Sequence, residues 1–269
     1  SPKRGKKMRV IIRKTYEEMS KEAAALVKKR LQQKPNLVLG LATGSTPLGL
    51  YRELIRLHQE ENLSFKNVRT FNLDEYYGLA PTHQQSYRYF MDTNLFNHLD
   101  IDKKNTRVPD GMAADVEAFC LAYEEAIRRS GGIDLQVLGI GGDGHIGFNE
   151  PGSSLASRTR LVALDEQTIN DNARFFARKE DVPRFAITMG VGTVLEVREI
   201  ILLVNGAKKA EILARAIEGP VTSLISASAL QFHQRVSVFL DEPAASALKR
   251  VAYYRFSEEA EKKIGREIF

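Results

Sequence analysis

The feature that most constrains the 269-residue chain is an alternation of short apolar, β-branched runs with longer segments of helical period. The runs fall near 8–13, 36–41, 68–72, 133–140, 184–189, 199–204 and 236–240. Strands buried on both faces read as continuous apolar runs, and the helices between them supply the crossovers that parallel pairing requires. The pattern predicts an α/β fold with a mostly parallel central sheet covered by helices on both faces. Thr15 and Glu18 form a capping-box pair that opens the first helix, with Met19, Ala23, Leu26, Val27 and Leu31 as its buried stripe. After the run ending at Leu41, Thr46 is the expected N-cap and Pro47 the first residue of a second helix, with Leu48, Tyr51, Ile55 and His58 facing inward.

The length suits one large domain, and no internal repeat or low-complexity linker divides it, so 8–269 is expected to fold as a single domain. Residues 1–7 hold Lys3, Arg4, Lys6 and Lys7 without an acid, and read as a loose basic tail or a cloning remnant. The net charge is +5 and the pI about 9.2, but removing those four lysines and arginines leaves the rest at only +1. A nearly neutral body is not expected to bind nucleic acid. No apolar stretch approaches the ~20 residues of a membrane span. The single cysteine, Cys120, excludes an internal disulfide and points to a reducing compartment, with the cytoplasm as the expected location. Its own expected role is a small buried hydrophobe. The polar segment 162–182 is weakly periodic and reads equally as a mobile flap or a surface helix.

In an open parallel sheet ligands bind beyond the carboxyl ends of the strands, which directs attention to three loops. The first, Thr43-Gly44-Ser45-Thr46, joins a buried strand to a helix start. Free N–H groups and hydroxyls there suit a phosphate, although an empty capped turn looks the same. It lacks the Gly-Lys-Ser/Thr of a nucleotide P-loop, which favours a sugar phosphate over ATP. The second places Asp74 and Glu75 directly after an apolar strand. Asp74 could take a proton from carbon if burial raised its pKa, and adjacent strand residues point opposite ways, so one acid should be structural.

The third loop, 139–151, carries five glycines within nine residues and brings Asp143 and Glu150 to either side of His145 in sequence. Carboxylates flanking an imidazole fix its tautomer and raise its basicity, which makes His145 a proton carrier near neutral pH. The other histidines, His58, His83, His98 and His233, form no metal-ligand spacing, and no metal is expected. Neither a Gly-x-Ser-x-Gly elbow nor a Ser/His/Asp triad can be assembled. Arg174 and Lys209 follow apolar stretches and either could reach a phosphate, although isolated basic residues are usually solvated.

With these loops in view, the chain closely resembles the glucosamine-6-phosphate deaminases. The likeness rests on 41–47, 71–76, 141–151, 153–160, 173–176, 189–193 and 206–210, in order through nearly the whole chain. It implies a Rossmann-like three-layer sandwich, glucosamine 6-phosphate as substrate and no cofactor. It also implies roles: Asp74 as the general base between C2 and C1, His145 as the ring-opening group with Asp143 and Glu150 as its partners. Thr43, Gly44, Ser45, Thr46, Arg174 and Lys209 would hold the phosphate. Some members are activated by N-acetylglucosamine 6-phosphate at a subunit interface that uses basic residues. Arg158 and Arg160 keep part of that pattern, but Val162 stands where those members have lysine, so activation is expected to be weak or absent.

The enzyme alternative is 6-phosphogluconolactonase, which shares a similar loop but needs no carbon base. Asp74-Glu75-Tyr76 and Asn149-Glu150-Pro151 favour the deaminase. A sugar-phosphate-sensing regulator would need a DNA-binding module, and 1–35 hold one strand and one helix without a helix-turn-helix. The sequence leaves a homo-oligomer open, because a symmetric interface leaves no local motif.

Overall fold

The computed structural model describes residues 8–265, so the basic segment 1–7 lies outside the described residues. The chain begins with β1 (Arg9–Arg13), α1 (Tyr16–Gln33), β2 (Val38–Leu41), α2 (Leu48–Glu61) and β3 (Arg69–Asn72). It continues through β4 (Asp74–Tyr77), α3 (Tyr87–Asn94), β5 (Thr106–Arg107), α4 (Val116–Arg129) and β6 (Leu135–Leu138). The second half runs β7 (Arg160–Ala163), α5 (Glu166–Asn172), β8 (Phe185–Thr188), α6 (Val191–Leu195), β9 (Glu199–Val204), α7 (Ala210–Glu218), β10 (Val236–Asp241), α8 (Glu242–Ala245) and α9 (Val251–Ile264).

Seven strands form one sheet in the order β1-β10-β9-β6-β2-β3-β5, and each neighbouring pair is parallel. The alternation of side chains along β9 divides the core. Ile200, Leu202 and Val204 join Tyr123 of α4, Leu213 and Ala216 of α7 and Ala244 of α8 on one face. Ile201 and Leu203 join Met19, Val27 and Leu31 of α1 and Leu50, Tyr51 and Leu54 of α2 on the other. This is the expected three-layer arrangement. Burying each such Leu, Val or Met contributes about 1.5–3 kcal/mol. Helix propensities differ by only ~0.7 kcal/mol per ordinary residue, so packing decides these helices.

The expected stripe of α1 is buried in full, and Thr15 caps the helix by accepting from Glu18 N at 3.2 Å. Glu18 reaches back to Lys14 N rather than to Thr15 N. The second helix departs from expectation. Thr46 is not its N-cap: Pro47 occupies that position with no side-chain cap, and the Thr46 hydroxyl bonds Asn205 Oδ1 at 2.8 Å. Tyr16 of α1 takes over, its hydroxyl accepting from Gly49 N and lying within bonding distance of Ser45 O and Thr46 O. The buried face of α2 is also rotated to Leu50, Tyr51, Leu54 and Leu57. Leu48, Ile55 and His58 are only half-buried, and His58 Nδ1 is engaged by Leu63 O at 2.7 Å.

A second sheet, β4-β8-β7, was not anticipated. The run 184–189 supplies its central strand, antiparallel to both neighbours, rather than a strand of the main sheet. The polar segment 162–182 accordingly begins as the end of β7, then turns through α5. It is neither a single surface helix nor free of the core, because Leu164, Ile169 and Val182 pack with Tyr76 and Phe148. Cys120 is buried, as expected.

Candidate active site

From β2 the chain proceeds outward to β3 and β5, whereas from β6 it proceeds the opposite way to β9 and β10, although β2 and β6 are neighbours. A crevice opens at such a reversal, beyond the carboxyl ends of the two strands. The loop 42–47 leaves β2 there, the loop 139–151 leaves β6, and Asp74 follows β3 on the adjoining edge.

The glycine-rich loop folds back on itself through Gly141 N to His145 O at 2.9 Å and Gly144 N to Gly141 O at 3.0 Å. The imidazole of His145 lies against Gly141, where a Cβ would come within 2.2 Å of the ring. Asp143 Oδ1 meets both Nδ1 of His145 at 2.5 Å and its backbone N–H at 3.2 Å. A carboxylate only accepts, so Nδ1 is the protonated nitrogen and Nε2 is left for chemistry. Glu150 accepts from the Thr168 hydroxyl at 2.8 Å through Oε1, while its Oε2 is buried without a hydrogen-bond partner among the described residues.

Burial pulls the His145 pKa down, but the Asp143 hydrogen bond and the charges of Asp143 and Glu150 outweigh it, and the net shift is upward. Burial alone would raise Asp143; the bond to His145 holds it below the usual carboxylate range. Glu150 is raised, chiefly by burial. Asp143, His145 and Glu150 each bring one ligand-type atom within 4.8 Å of the others. That spacing would admit a cation, and it is equally the spacing of an imidazole shared between two carboxylates.

Asp74 is 6% exposed. Burial, reinforced by the charge of Glu75 and opposed by that of His145, pushes its carboxyl up to about 8. The same imidazole therefore acts on Asp74 and on the glycine loop's acids. A Cβ on Gly147, whose φ is +57°, would meet Thr188 Oγ1 at 2.8 Å and Asp74 Oδ2 at 3.7 Å, which places the carboxylate beside that loop. Glu75 points elsewhere. It accepts from the backbone N–H groups of Tyr76, Tyr87 and Arg88 at 2.8–3.0 Å, two of them at the start of α3. One acid faces the crevice and its neighbour caps a helix, as the strand geometry requires.

The residues expected to hold phosphate are brought together in part. Gly44 and Ser45 are exposed and Thr43 half-buried. The Thr46–Asn205 bond ties their loop to the turn after β9, which carries Lys209. Lys209 Nζ donates to Ile140 O at 2.9 Å, and burial lowers its pKa against the opposing charges of Asp143 and Asp171. Arg174 sits on a 3-10 turn after α5, exposed, with its guanidinium 4.6 Å from the centre of the Phe175 ring.

Several bracing residues have no signal in the sequence. Ser226 accepts from Ile146 N and donates to Asn149 O from about 80 positions away. Thr188 accepts from Phe148 N across 40 residues, and Thr168 holds Glu150. Asn149 lies within the loop itself: its buried amide donates to Ile146 O and Met189 O and accepts from Arg160 Nη1, each at 2.9 Å.

The family model described as glucosamine-6-phosphate isomerases/6-phosphogluconolactonase matches residues 13–238. A glucosamine-6-phosphate deaminase of Thermoanaerobacter sp. (strain X514) is 53% identical over 241 residues, 90% of this chain and 95% of the relative. The structure of a monomeric glucosamine-6-phosphate deaminase superposes with a TM-score of 0.87 at 48% identity, covering 89% of this chain and all of that one. A 6-phosphogluconolactonase from Trypanosoma brucei covers 90% of this chain and 99% of its own, with a TM-score of 0.72 at 22% identity, a likeness of fold alone. Matched over most of its length in sequence and over the loops of its crevice, the chain belongs to the glucosamine-6-phosphate isomerase/6-phosphogluconolactonase family.

Proposed function

We propose that the chain is a glucosamine-6-phosphate deaminase, converting glucosamine 6-phosphate and water into fructose 6-phosphate and ammonia. The observation that carries the reading is a buried aspartate, Asp74, set beside the glycine loop whose imidazole, His145, is oriented by Asp143. A lactone hydrolase has no use for a carbon base, and identity to the deaminases is more than twice that to the lactonase.

The ring-closed sugar has no acidic C–H beside a carbonyl. His145 first takes the proton of the anomeric hydroxyl and gives it to the ring oxygen, breaking the C1–O5 bond; Asp143 holds the tautomer and Glu150 shares the positive charge. Asp74, ionised, then removes the C2 hydrogen while a proton of the substrate's own ammonium group passes to O1, giving an enolamine, and Asp74 returns the abstracted proton to C1, leaving a protonated imine at C2. Water adds to C2, the C–N bond breaks, and ammonia leaves. Thr43, Gly44, Ser45, Thr46, Lys209 and Arg174 hold the phosphate, whose remote binding energy aligns the reacting carbons without taking part in the bond changes. The same reading treats 8–269 as one catalytic domain working in the cytoplasm, with neither nucleic acid nor membrane as partner. Among the described residues no helix is long and apolar enough to cross a membrane.

The test follows ammonia and fructose 6-phosphate together from glucosamine 6-phosphate. They should appear in equal amounts. Asp74→Asn should abolish exchange of the C2 hydrogen with solvent. His145→Gln should slow the cyclic substrate more than an open-chain analogue. Hydrolysis of 6-phosphogluconolactone in place of ammonia release would overturn the assignment.

A further inference from the structure

The helix α5 touches both walls of the crevice with side chains one turn apart. Residues at i and i+4 share a helix face. On that face Thr168 donates to Glu150 Oε1 at 2.8 Å, and Asn172 Nδ2 donates to the Tyr76 hydroxyl at 2.8 Å. Glu150 belongs to the His145 side. Tyr76 lies on β4 two residues after Asp74, so its strand belongs to the carbon-base side. Between these two bonds Ile169 is buried against Tyr76 and Phe148, which fixes the roll of the helix about its axis.

The next turn continues directly into the residues that carry Arg174, and the charge of Asp171 is close enough to oppose the burial that lowers the Lys209 pKa. We propose that Thr168 and Asn172 are positioning residues through which capture of the phosphate near Arg174 and Lys209 is registered onto both catalytic walls at once. This rests on the deaminase reading. Neither side chain touches the reacting atoms in that scheme. Thr168 fixes which oxygen of Glu150 is engaged and leaves Oε2 buried without a hydrogen-bond partner among the described residues, in a carboxylate whose charge acts on His145. Asn172 fixes Tyr76, whose ring packs on Tyr87 and Phe148, with centroids 4.9 and 5.8 Å away, beside the strand that holds Asp74.

Alternative explanations separate kinetically. If α5 merely supports the fold, cutting either bond loosens the Arg174 turn, and the apparent affinity for phosphate falls together with turnover. If the bonds transmit position, the anchor still binds and only alignment is lost. Losing alignment near a reacting centre reduces turnover by roughly 10- to 100-fold without a matching change in KM.

The experiment compares the parent protein with Thr168→Val, Thr168→Ser, Asn172→Ala and the Thr168→Val/Asn172→Ala pair. It measures kcat and KM for glucosamine 6-phosphate, and competitive inhibition by inorganic phosphate. The expected result is at least a ~10-fold drop in kcat for Thr168→Val and Asn172→Ala, with KM and the phosphate inhibition constant within about threefold of the parent. Thr168→Ser, which keeps the hydroxyl, should recover most of the loss. The pair should lose less than the product of the single losses, because both bonds act through one helix. Parent-like kcat in the Val variant, parallel weakening of phosphate inhibition and kcat, or no recovery with Ser would overturn the proposal. A parent protein that releases no ammonia overturns the deaminase reading first, and is seen before any variant is compared.

Discussion

Asp74 and Glu75 adjoin in sequence, yet they meet opposite surroundings. Glu75, 2% exposed, receives three backbone N–H groups, which oppose the burial that raises its carboxyl to about 7. Asp74 faces the crevice and is raised to about 8, first by burial and then by the charge of Glu75. A base must be ionised to act, so substrate-free enzyme should gain kcat/KM as pH rises toward 8. The same shift has a consequence for stability. Unfolded aspartate titrates near 3.9; between there and about 8 the folded state binds the extra proton, so stability is lost as pH rises through that window. Asp74→Asn is neutral throughout and lacks that loss. Its melting temperature relative to the parent should therefore rise between pH 5 and pH 8 by at least about 2–4 °C, the change ~1 kcal/mol produces in a domain of this size. An offset that stays constant across those two pH values would place Asp74 in the ordinary carboxylate range.

Among the elements, the loop after β6 turns on a backbone position with no room for a side chain. With the imidazole of His145 lying where a Gly141 side chain would be, Gly141→Ala must push the ring away from Asp143. Turnover is expected to fall on the order of 100-fold, as for a displacement of about 1 Å at a reacting group. The melting temperature should barely move, because the loop's bonds to Ser226 and Thr188 are remote from that Cβ. Circular dichroism melts alongside kinetics check both halves; a variant with unaltered kcat would mean the ring has room to shift and still work. The glycines of this loop were legible in the sequence because a motif concentrates them, and six of the seven strands of the main sheet because each lies within an apolar run. The strands β4, β5 and β7 were not. Asp74-Glu75-Tyr76-Tyr77 is half acidic, β5 has two residues, and β7 opens a polar segment. Each becomes a strand through partners distant in the chain, a tertiary effect that local propensity does not carry. The α2 cap departs from the local pattern for a related reason, since Tyr16 lies 33 residues before the Gly49 N–H it satisfies.

At the scale of the whole molecule, the sheet order explains how acids 76 positions apart in the chain, Asp74 and Glu150, both come under the charge of one imidazole: β3, β2 and β6 are consecutive in space. It also sets what lies behind the site. Arg158 bonds both Glu124 and Glu196, and Arg160 gives Nη1 to the buried Asn149 Oδ1. Val162 is half-buried and opposite Ala186 in the β7–β8 pair. The two arginines that resemble part of an activator site are thus engaged within the chain, and the third position offers no charge. An activator phosphate would have to displace Glu124 and Glu196 from Arg158 and find no cation at 162. Titrating N-acetylglucosamine 6-phosphate at low glucosamine 6-phosphate should therefore change the half-saturating substrate concentration by less than about fivefold, the lower end of typical allosteric coupling. A larger drop would require that Arg158 leaves its acids when the ligand binds. Glu196→Gln, which weakens one of those ion pairs, should then make the response stronger; in the arrangement described here it leaves the titration flat.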